Sequence, residues 1–227
     1  MRFIGYLCRD LWKWFKNRKK REFREYGITC YSGRQGAGKT ISMVAYLTWV
    51  KRVYPDCLIF TNFFWAGQDG EMSSWRDMLD IRNGTRGVVF AIDEIHSEFS
   101  TNAWRDFPDN LLAEVSQQRK QRVKIVCTSQ LFLRLVKQLR EQCYEVVECR
   151  TLLGRLTTNI AYDALDYERY YASEMVKVMP KIKSIWKVRF VQTDELRRSY
   201  DTYRKIVRMR KADFSEIKTR EKVAGAN

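Results

Sequence analysis

Eight consecutive residues near the start of the chain have the types and spacing of a phosphate-binding loop. They read GRQGAGKT and fit the pattern G-x-x-x-x-G-K-[ST] in full. Glycines let backbone amides converge on phosphate oxygens, and a helix that starts at the lysine adds the positive end of its dipole. The pattern predicts an ATP site made of Gly33, Arg34, Gln35, Gly36, Ala37, Gly38, Lys39 and Thr40. Lys39 is predicted to reach the β- and γ-phosphates, and the Thr40 hydroxyl to ligate Mg²⁺.

An acidic pair follows the continuous apolar run Gly87–Ile92. Asp93 is predicted to hold Mg²⁺ through water, and Glu94 to polarise the attacking water as a general base. Acidic pairs after apolar strands also occur as helix caps. The combination with a phosphate-binding loop therefore predicts nucleotide hydrolysis rather than nucleotide binding alone.

Further polar residues are candidates for sensing or completing such a site. Gln130 follows the apolar run Val123–Thr128, which we expect to lie beside the strand that carries Asp93. Its side chain is predicted to sense the γ-phosphate or the lytic water, and an ordinary loop amide is the alternative. Arginines that could reach the nucleotide of a neighbouring subunit are Arg119, Arg122, Arg150 and Arg155. Arg119 is the first candidate, and a surface role is the alternative for each.

The elements that must position these residues alternate between strand-like and helix-like patterns. Strands are predicted at Ile28–Ser32, Cys57–Thr61, Gly87–Ile92, Val123–Thr128 and Tyr144–Cys149. Helices are predicted at Lys39–Lys51, Ser73–Leu79, Pro108–Arg119 and Leu131–Arg140. This alternation predicts an α/β fold of the P-loop NTPase type, with a mostly parallel central sheet flanked by helices.

We expect three parts in the chain: a basic aromatic segment (1–26), a P-loop ATPase core (27–155) and a small C-terminal extension (156–227). The first part carries apolar residues at helical spacing among many basic ones, which predicts an amphipathic helix. Such a helix either lies on an anionic membrane surface or packs against protein. The extension contains the strand-like runs Leu156–Ala161 and Trp186–Val191 and a predicted basic helix, Asp194–Arg210.

Composition limits the classes of partner. The 42 Lys and Arg residues against 27 Asp and Glu give a net charge of +15, which favours a polyanionic partner, nucleic acid or anionic membrane, over a merely solvated basic surface. Six cysteines without C-x-x-C spacing and a single histidine argue against a common zinc site and favour a reducing compartment. No apolar run is long enough to span a bilayer, and no signal peptide is expected. The expected location is the cytoplasm, that of the host if the protein is viral, with peripheral contact at the inner membrane surface left open.

With these motifs identified, the chain resembles the zonula occludens toxin (Zot) family, which includes the assembly ATPase of filamentous phages and falls within the FtsK/HerA class of P-loop motors. The resemblance runs from about Ile28 to Leu153 and rests on GRQGAGKT, Thr61-Asn62, GVVFAIDEIHSEFSTNAW, QRKQRVKIVCTSQ and VVECR. It implies that Lys39 and Thr40 bind nucleotide and magnesium, that Asp93 and Glu94 act in catalysis, and that Gln130 is a sensor. It also matches Arg119 to a recurrent family arginine.

We therefore expect an ATP-hydrolysing motor that moves phage DNA during virion assembly or packaging. A ring of identical subunits, working with phage assembly or portal proteins, is the expected assembly, because an arginine acting in trans needs a neighbour. The family's membrane-spanning segment is not expected here, so extrusion through an envelope and packaging into a capsid both remain open. The alternative from another class is a membrane-surface assembly scaffold that ATP switches without moving DNA.

Overall fold

The computed structural model describes residues 22–73, 77–95, 118–172 and 182–201. The predicted N-terminal amphipathic helix lies outside these residues, apart from its last few positions. Most of the predicted helix Pro108–Arg119 also lies outside them. The predicted helix Asp194–Arg210 is wrong in its extent, since the helix ends at Arg198 and residues 199–201 are not helical; residues 202–210 lie outside the described residues.

Strands and helices alternate along the described chain. The strands are β1 (Gly27–Ser32), β2 (Leu58–Thr61), β3 (Gly70–Glu71), β4 (Val88–Ile92), β5 (Val123–Ser129), β6 (Cys143–Leu152), β7 (Leu156–Asp163) and β8 (Trp186–Val191). The helices are α1 (Lys39–Val53), α2 (Asp77–Asp80), α3 (Gln118–Gln121), α4 (Lys137–Gln142), α5 (Ala164–Ala172) and α6 (Asp194–Arg198). Short 3₁₀ turns occupy Gly84–Arg86 and Phe132–Arg134.

The strands form one sheet in the order β3-β2-β4-β5-β1-β6-β7-β8. All neighbours from β3 to β6 are parallel, and β7 and β8 are added antiparallel. This confirms the predicted α/β fold with a mostly parallel sheet. Strand β5 lies between β1 and β4, so the carboxyl ends of these three strands meet at one edge of the sheet.

Both faces of the central strands are covered. Successive side chains of a strand point to opposite faces, and β4 and β5 are buried at every position. Phe90 and Ile125 belong to one apolar cluster, and Val89 and Val126 belong to the other. Burial on both sides explains why β4 is a continuous apolar run and why β5 is apolar apart from Lys124 and its last two residues, rather than alternating.

Helix α1 covers the second of these faces. Its buried residues include Ile41, Val44 and Leu47, which recur at the spacing that places them on one side of a helix. Each such side chain contributes about 1.5–3 kcal/mol when fully buried. The helix ends at Val53 because Pro55 disfavours helical backbone at Tyr54, whose φ and ψ are −126° and 73°.

The predicted helix Leu131–Arg140 is wrong as a single element. A 3₁₀ turn and α4 take its place, and Leu135 and Val136 between them are extended and buried in the core. The Arg140 guanidinium donates to the carbonyls of Leu133 and Leu135, which the break leaves without helical partners. Burial of two apolar side chains thus outweighs the continuity of the helix.

The sheet also includes segments that were predicted as a C-terminal extension. Strands β6 and β7 form a hairpin in which Leu152 pairs with Leu156, and β8 pairs with β7 along its length. The proposed boundary near residue 155 falls in the turn of this hairpin, and the division of the chain into domains stays a prediction. Among the described helices, none is long and apolar enough to cross a bilayer.

Candidate active site

The glycine-rich loop connects β1 to α1 at the edge where the parallel strands end. Gly38 precedes the helix with φ 87° and ψ 28°, a left-handed conformation, and a Cβ there would clash with Thr151 Oγ1. Gly33 also needs to be glycine, since a Cβ would lie 2.9 Å from the Cys149 carbonyl oxygen. No side chain caps α1 and its first turn carries no acid, so its start is open to an anion.

Lys39 is the first residue of α1 and is only 7% exposed. Its Nζ donates to the Arg34 carbonyl in the same loop at 3.3 Å. Among the described residues, no carboxylate forms a salt bridge with it. Burying an ammonium group is costly unless it is paired, so the loop and Lys39 together favour a bound anion such as phosphate.

Two hydroxyl groups converge on the Asp93 carboxylate. Thr40, from the first turn of α1, donates to Oδ1 and Oδ2 at 3.0 and 3.2 Å. Thr128, from the end of β5, donates to Oδ1 at 2.5 Å. Burial raises the pKa of Asp93, the bonds from Thr128 and Thr40 oppose that rise, Glu94 adds to it and Lys39 opposes it.

Two side chains fix the backbone around this carboxylate. The Asn62 side chain, at the end of β2, accepts from the Asp93 amide at 2.7 Å and donates to the Asp93 carbonyl at 3.1 Å. Thr128 Oγ1 also accepts from the Glu94 amide at 2.8 Å. These bonds hold Glu94 at φ 53°, a left-handed conformation that costs a non-glycine residue about 1–2 kcal/mol.

The donor set fits a magnesium nucleotide. Mg²⁺ prefers hard oxygen ligands and usually binds one or two protein groups, waters and substrate phosphates. The Thr40 hydroxyl and the Asp93 carboxylate supply such oxygens at the start of α1, beside the loop whose amides and Lys39 suit the phosphates.

The structure places Gln130 near this cluster and separates the arginine candidates. Gln130 is exposed directly after β5, which pairs with β4 as expected. Arg119 lies in α3, before β5, at the edge of the sheet opposite the loop. Arg122, in the turn that follows α3, pairs with Glu22 at 3.1 Å.

Two arginine candidates lie beside the β6–β7 hairpin. Arg155, in its turn, pairs with Asp194 at 2.7 Å and donates to the Gln192 carbonyl at 3.0 Å. Arg150 is exposed near the carboxyl end of β6, at the edge of the sheet where the phosphate-binding loop lies. The roles predicted for all these residues stay predictions.

Sequence reasoning assigned no role to Asn62, Thr128 or Thr151. Thr151 Oγ1 donates to the carbonyl of Ala37 at 2.9 Å and so ties β6 to the phosphate-binding loop. The available signal was position: Asn62 and Thr128 are polar residues at the carboxyl ends of apolar strands on either side of β4. Thr151 has a weaker signal, since its strand partner was predicted to belong to a separate part of the chain.

Comparison with known protein families identifies the family of this chain. Residues 67–206 match the family model described as zonular occludens toxin (Zot). The match begins after the phosphate-binding loop and extends beyond Leu153, where the expected resemblance ended. No curated protein sequence matches the chain.

Two solved structures are similar in fold. The N-terminal domain of zonular occludens toxin from Neisseria meningitidis has a TM-score of 0.53 and 16% identity, covering 78% of this chain and 99% of that one. The genome packaging NTPase B204 from Sulfolobus turreted icosahedral virus 2, in complex with ATP-gammaS, has a TM-score of 0.42 and 12% identity, covering 62% and 93%. Since the family model matches more than half of the sequence, the chain belongs to the zonular occludens toxin (Zot) family and has the fold of a P-loop ATPase.

Proposed function

We propose that this chain hydrolyses ATP and uses the energy to move phage DNA during virion assembly or packaging. The observation that carries the hydrolytic part is the convergence of Thr40 and Thr128 on Asp93 beside the glycine-rich loop. The Asp93 and Glu94 amides are also bonded to Asn62 and Thr128, so the backbone that carries the candidate general base is fixed.

The residues divide the work of binding. Loop amides and the start of α1 hold the phosphates, and Lys39 neutralises the β- and γ-phosphate oxygens. Thr40 and Asp93 would hold Mg²⁺, which supplies charge neutralisation at the phosphates when it is bound. Burial raises the pKa of Asp93 and so disfavours its ionised form. A bound cation would stabilise that form, which fits a role in holding Mg²⁺.

In this proposal Glu94 acts on water. Its backbone, two residues after the end of β4, is left-handed and is held by Thr128 through the Glu94 amide. From this edge of the sheet the carboxylate would accept a proton from the water that attacks the γ-phosphate. Gln130, after the neighbouring strand, would orient that water or sense the phosphate.

The DNA part rests on charge and on the family resemblance. The net charge of +15 is spread along the chain, with basic residues in the catalytic body as well as in the first 26 residues. A membrane anchor needs only a terminal helix, whereas a motor that grips a phosphate backbone needs distributed charge. The assembly proposed is a cytoplasmic ring in which Arg119 acts on a neighbour's nucleotide, with phage assembly or portal proteins as partners.

Single substitutions test the hydrolytic site. Lys39→Ala should sharply weaken ATP binding or turnover, because it removes the charge that meets the phosphates. Glu94→Gln should bind ATP normally and lose turnover by about 10²–10⁴-fold, the usual contribution of a general base. Nucleotide titration and steady-state turnover measure both, and turnover like that of the wild type in Glu94→Gln would remove Glu94 from the mechanism.

A truncation separates the motor from the membrane-surface scaffold. Deleting residues 1–21, which spares the buried core residue Phe23, should leave DNA binding and its salt dependence largely intact and abolish any liposome binding. A truncated protein that still hydrolyses ATP but no longer binds DNA at low salt would favour the scaffold.

A further inference from the structure

One face of the hairpin β6–β7 and strand β8 carries a row of basic side chains. Residues directly opposite each other in neighbouring strands point to the same face. Arg150 pairs with Thr158, which pairs with Arg189, and Lys187 lies two residues from Arg189 on β8. We call these four residues the basic sheet face, and it is the face opposite α1. Its two arginines are about 10 Å apart across two strand spacings, and Lys187 is about 7 Å from Arg189.

The cations of this face have no partner within the described chain. Arg150, Lys187 and Arg189 are exposed, and among the described residues none of them has a salt bridge. The nearest acid on the same face, Glu148, already accepts from two tyrosine hydroxyls of α5, Tyr167 at 2.8 Å and Tyr171 at 3.2 Å. Three cations against this one carboxylate leave the face with an excess of positive charge, which complements a polyanion.

Apolar side chains border the same row. Leu152, Leu156 and Val191 pair with one another across the three strands and are 55, 38 and 58% exposed. The turn beyond them carries Leu153, which is 91% exposed. A duplex presents mainly phosphates to a protein, whereas an unpaired strand also presents the faces of its bases, which pack on apolar and aromatic side chains. Cations beside an apolar row favour the unpaired strand.

The face is connected to the phosphate-binding loop through one strand. Arg150 and Thr151 are consecutive in β6, so their side chains point to opposite faces of the sheet. Thr151 donates to the Ala37 carbonyl of the loop at 2.9 Å. Arg150 is therefore the direct neighbour, in the strand, of the residue that contacts the loop from the other face.

We propose that the basic sheet face binds a DNA strand with unpaired bases, its phosphates on Arg150, Arg189 and Lys187 and its bases along the apolar row. The proposal rests on the proposed function, because it names where and in which form the DNA would be held.

The test measures binding of labelled oligonucleotides to the full chain by fluorescence anisotropy over a range of salt. Arg150→Gln/Arg189→Gln should weaken single-strand binding by about tenfold or more at low salt and lower the salt slope by about 1.4, since each phosphate contact on a single strand contributes about 0.7. Arg150→Lys/Arg189→Lys keeps both charges and should keep the slope. Melting temperatures establish that the variants fold.

A matched control removes the same charge elsewhere. Arg52 and Arg86 are exposed and lie on α1 and before β4, away from this face, so Arg52→Gln/Arg86→Gln should leave the slope unchanged. If Arg150→Gln/Arg189→Gln binds single strands as the wild type does, or if it and Arg52→Gln/Arg86→Gln lower the affinity equally, the basic sheet face is not the binding site. Either result leaves the proposed motor in place. If the wild type binds duplex more tightly than single strands, and Arg150→Gln/Arg189→Gln weakens that duplex binding, the ligand of this face is not an unpaired strand. An ATP-hydrolysing wild-type protein that binds no DNA overturns the proposed DNA function as well.

Discussion

Thr128→Val removes one hydroxyl group that the structure uses twice. Thr128 is fully buried at the end of β5, where its Oγ1 donates to Asp93 Oδ1 at 2.5 Å and accepts from the Glu94 amide at 2.8 Å. Valine keeps the shape of the side chain and loses both bonds. The substitution therefore isolates the contribution of the hydroxyl to the site.

The expected magnitude follows from the two bonds. A hydrogen bond to a charged group contributes about 1.5–3 kcal/mol and a neutral one about 1 kcal/mol. We therefore expect Thr128→Val to lower the free energy of unfolding by about 2–4 kcal/mol. We also expect the pKa of Asp93 to rise further, because the bond from Thr128 opposes that rise. With the Glu94 amide released, the carboxylate loses its fixed position, and a loss of about 2 kcal/mol in transition-state stabilisation would lower turnover about 30-fold.

The same fold offers a control with the same chemistry. Thr29, buried in β1, donates to Glu145 Oε1 at 2.8 Å and accepts from Lys124 Nζ at 2.7 Å. It lies toward the opposite edge of the sheet from the phosphate-binding loop. Thr29→Val should therefore destabilise the protein by a similar amount and leave turnover per folded molecule unchanged.

Denaturant unfolding and steady-state ATP turnover at saturating magnesium distinguish the two variants. The account predicts that both unfold more easily and that only Thr128→Val loses turnover, mainly in kcat. Equal losses of turnover in both would mean that general destabilisation explains the effect. Normal turnover in a folded Thr128→Val protein would refute the reasoning that Thr128 positions Asp93 and Glu94.

Two further predictions concern charge. Burial raises the pKa of Asp93 above its ordinary value of 3.8, so its ionised form lowers stability as the pH rises past that value. Asp93→Asn, without nucleotide at pH 7, should therefore melt higher, by about 2–4 °C per kcal/mol relieved, and lose turnover; a lower melting temperature in a calorimeter would contradict this. Arg119→Ala should bind ATP but hydrolyse it poorly, and mixing it with Lys39→Ala should partly restore turnover; no rescue in confirmed mixed rings would leave Arg119 a structural role.

Much of the fold could be predicted because its central strands are buried on both faces. Burial on both sides favours apolar runs, and β4 appears in the sequence as a continuous one, while β1, β2 and β5 are mostly apolar with few polar residues. The phosphate-binding loop could also be predicted from the sequence. Gly33 and Gly38 occupy positions where a Cβ would clash, so the loop requires glycines at this spacing. These features depend on local sequence.

Features that depend on distant partners could not be predicted in the same way. Local propensity alone favours one helix through Leu135 and Val136, but packing of these two side chains in the core breaks it. Asn62 and Thr128 are ordinary polar residues until the strand order brings them beside Asp93. The pairing of β7 and β8 with the central sheet likewise depends on the turn at Leu153 and Gly154, whose φ values are 50° and 67°.

The most direct test of the central claim is steady-state ATP turnover by the full-length chain with magnesium, measured with and without DNA. The account predicts that turnover rises when DNA is added, and that Glu94→Gln protein, which still binds ATP, shows neither the basal nor the stimulated rate. If the protein hydrolyses ATP at a rate that neither single-stranded nor duplex DNA changes, the proposal of a DNA-moving motor is contradicted.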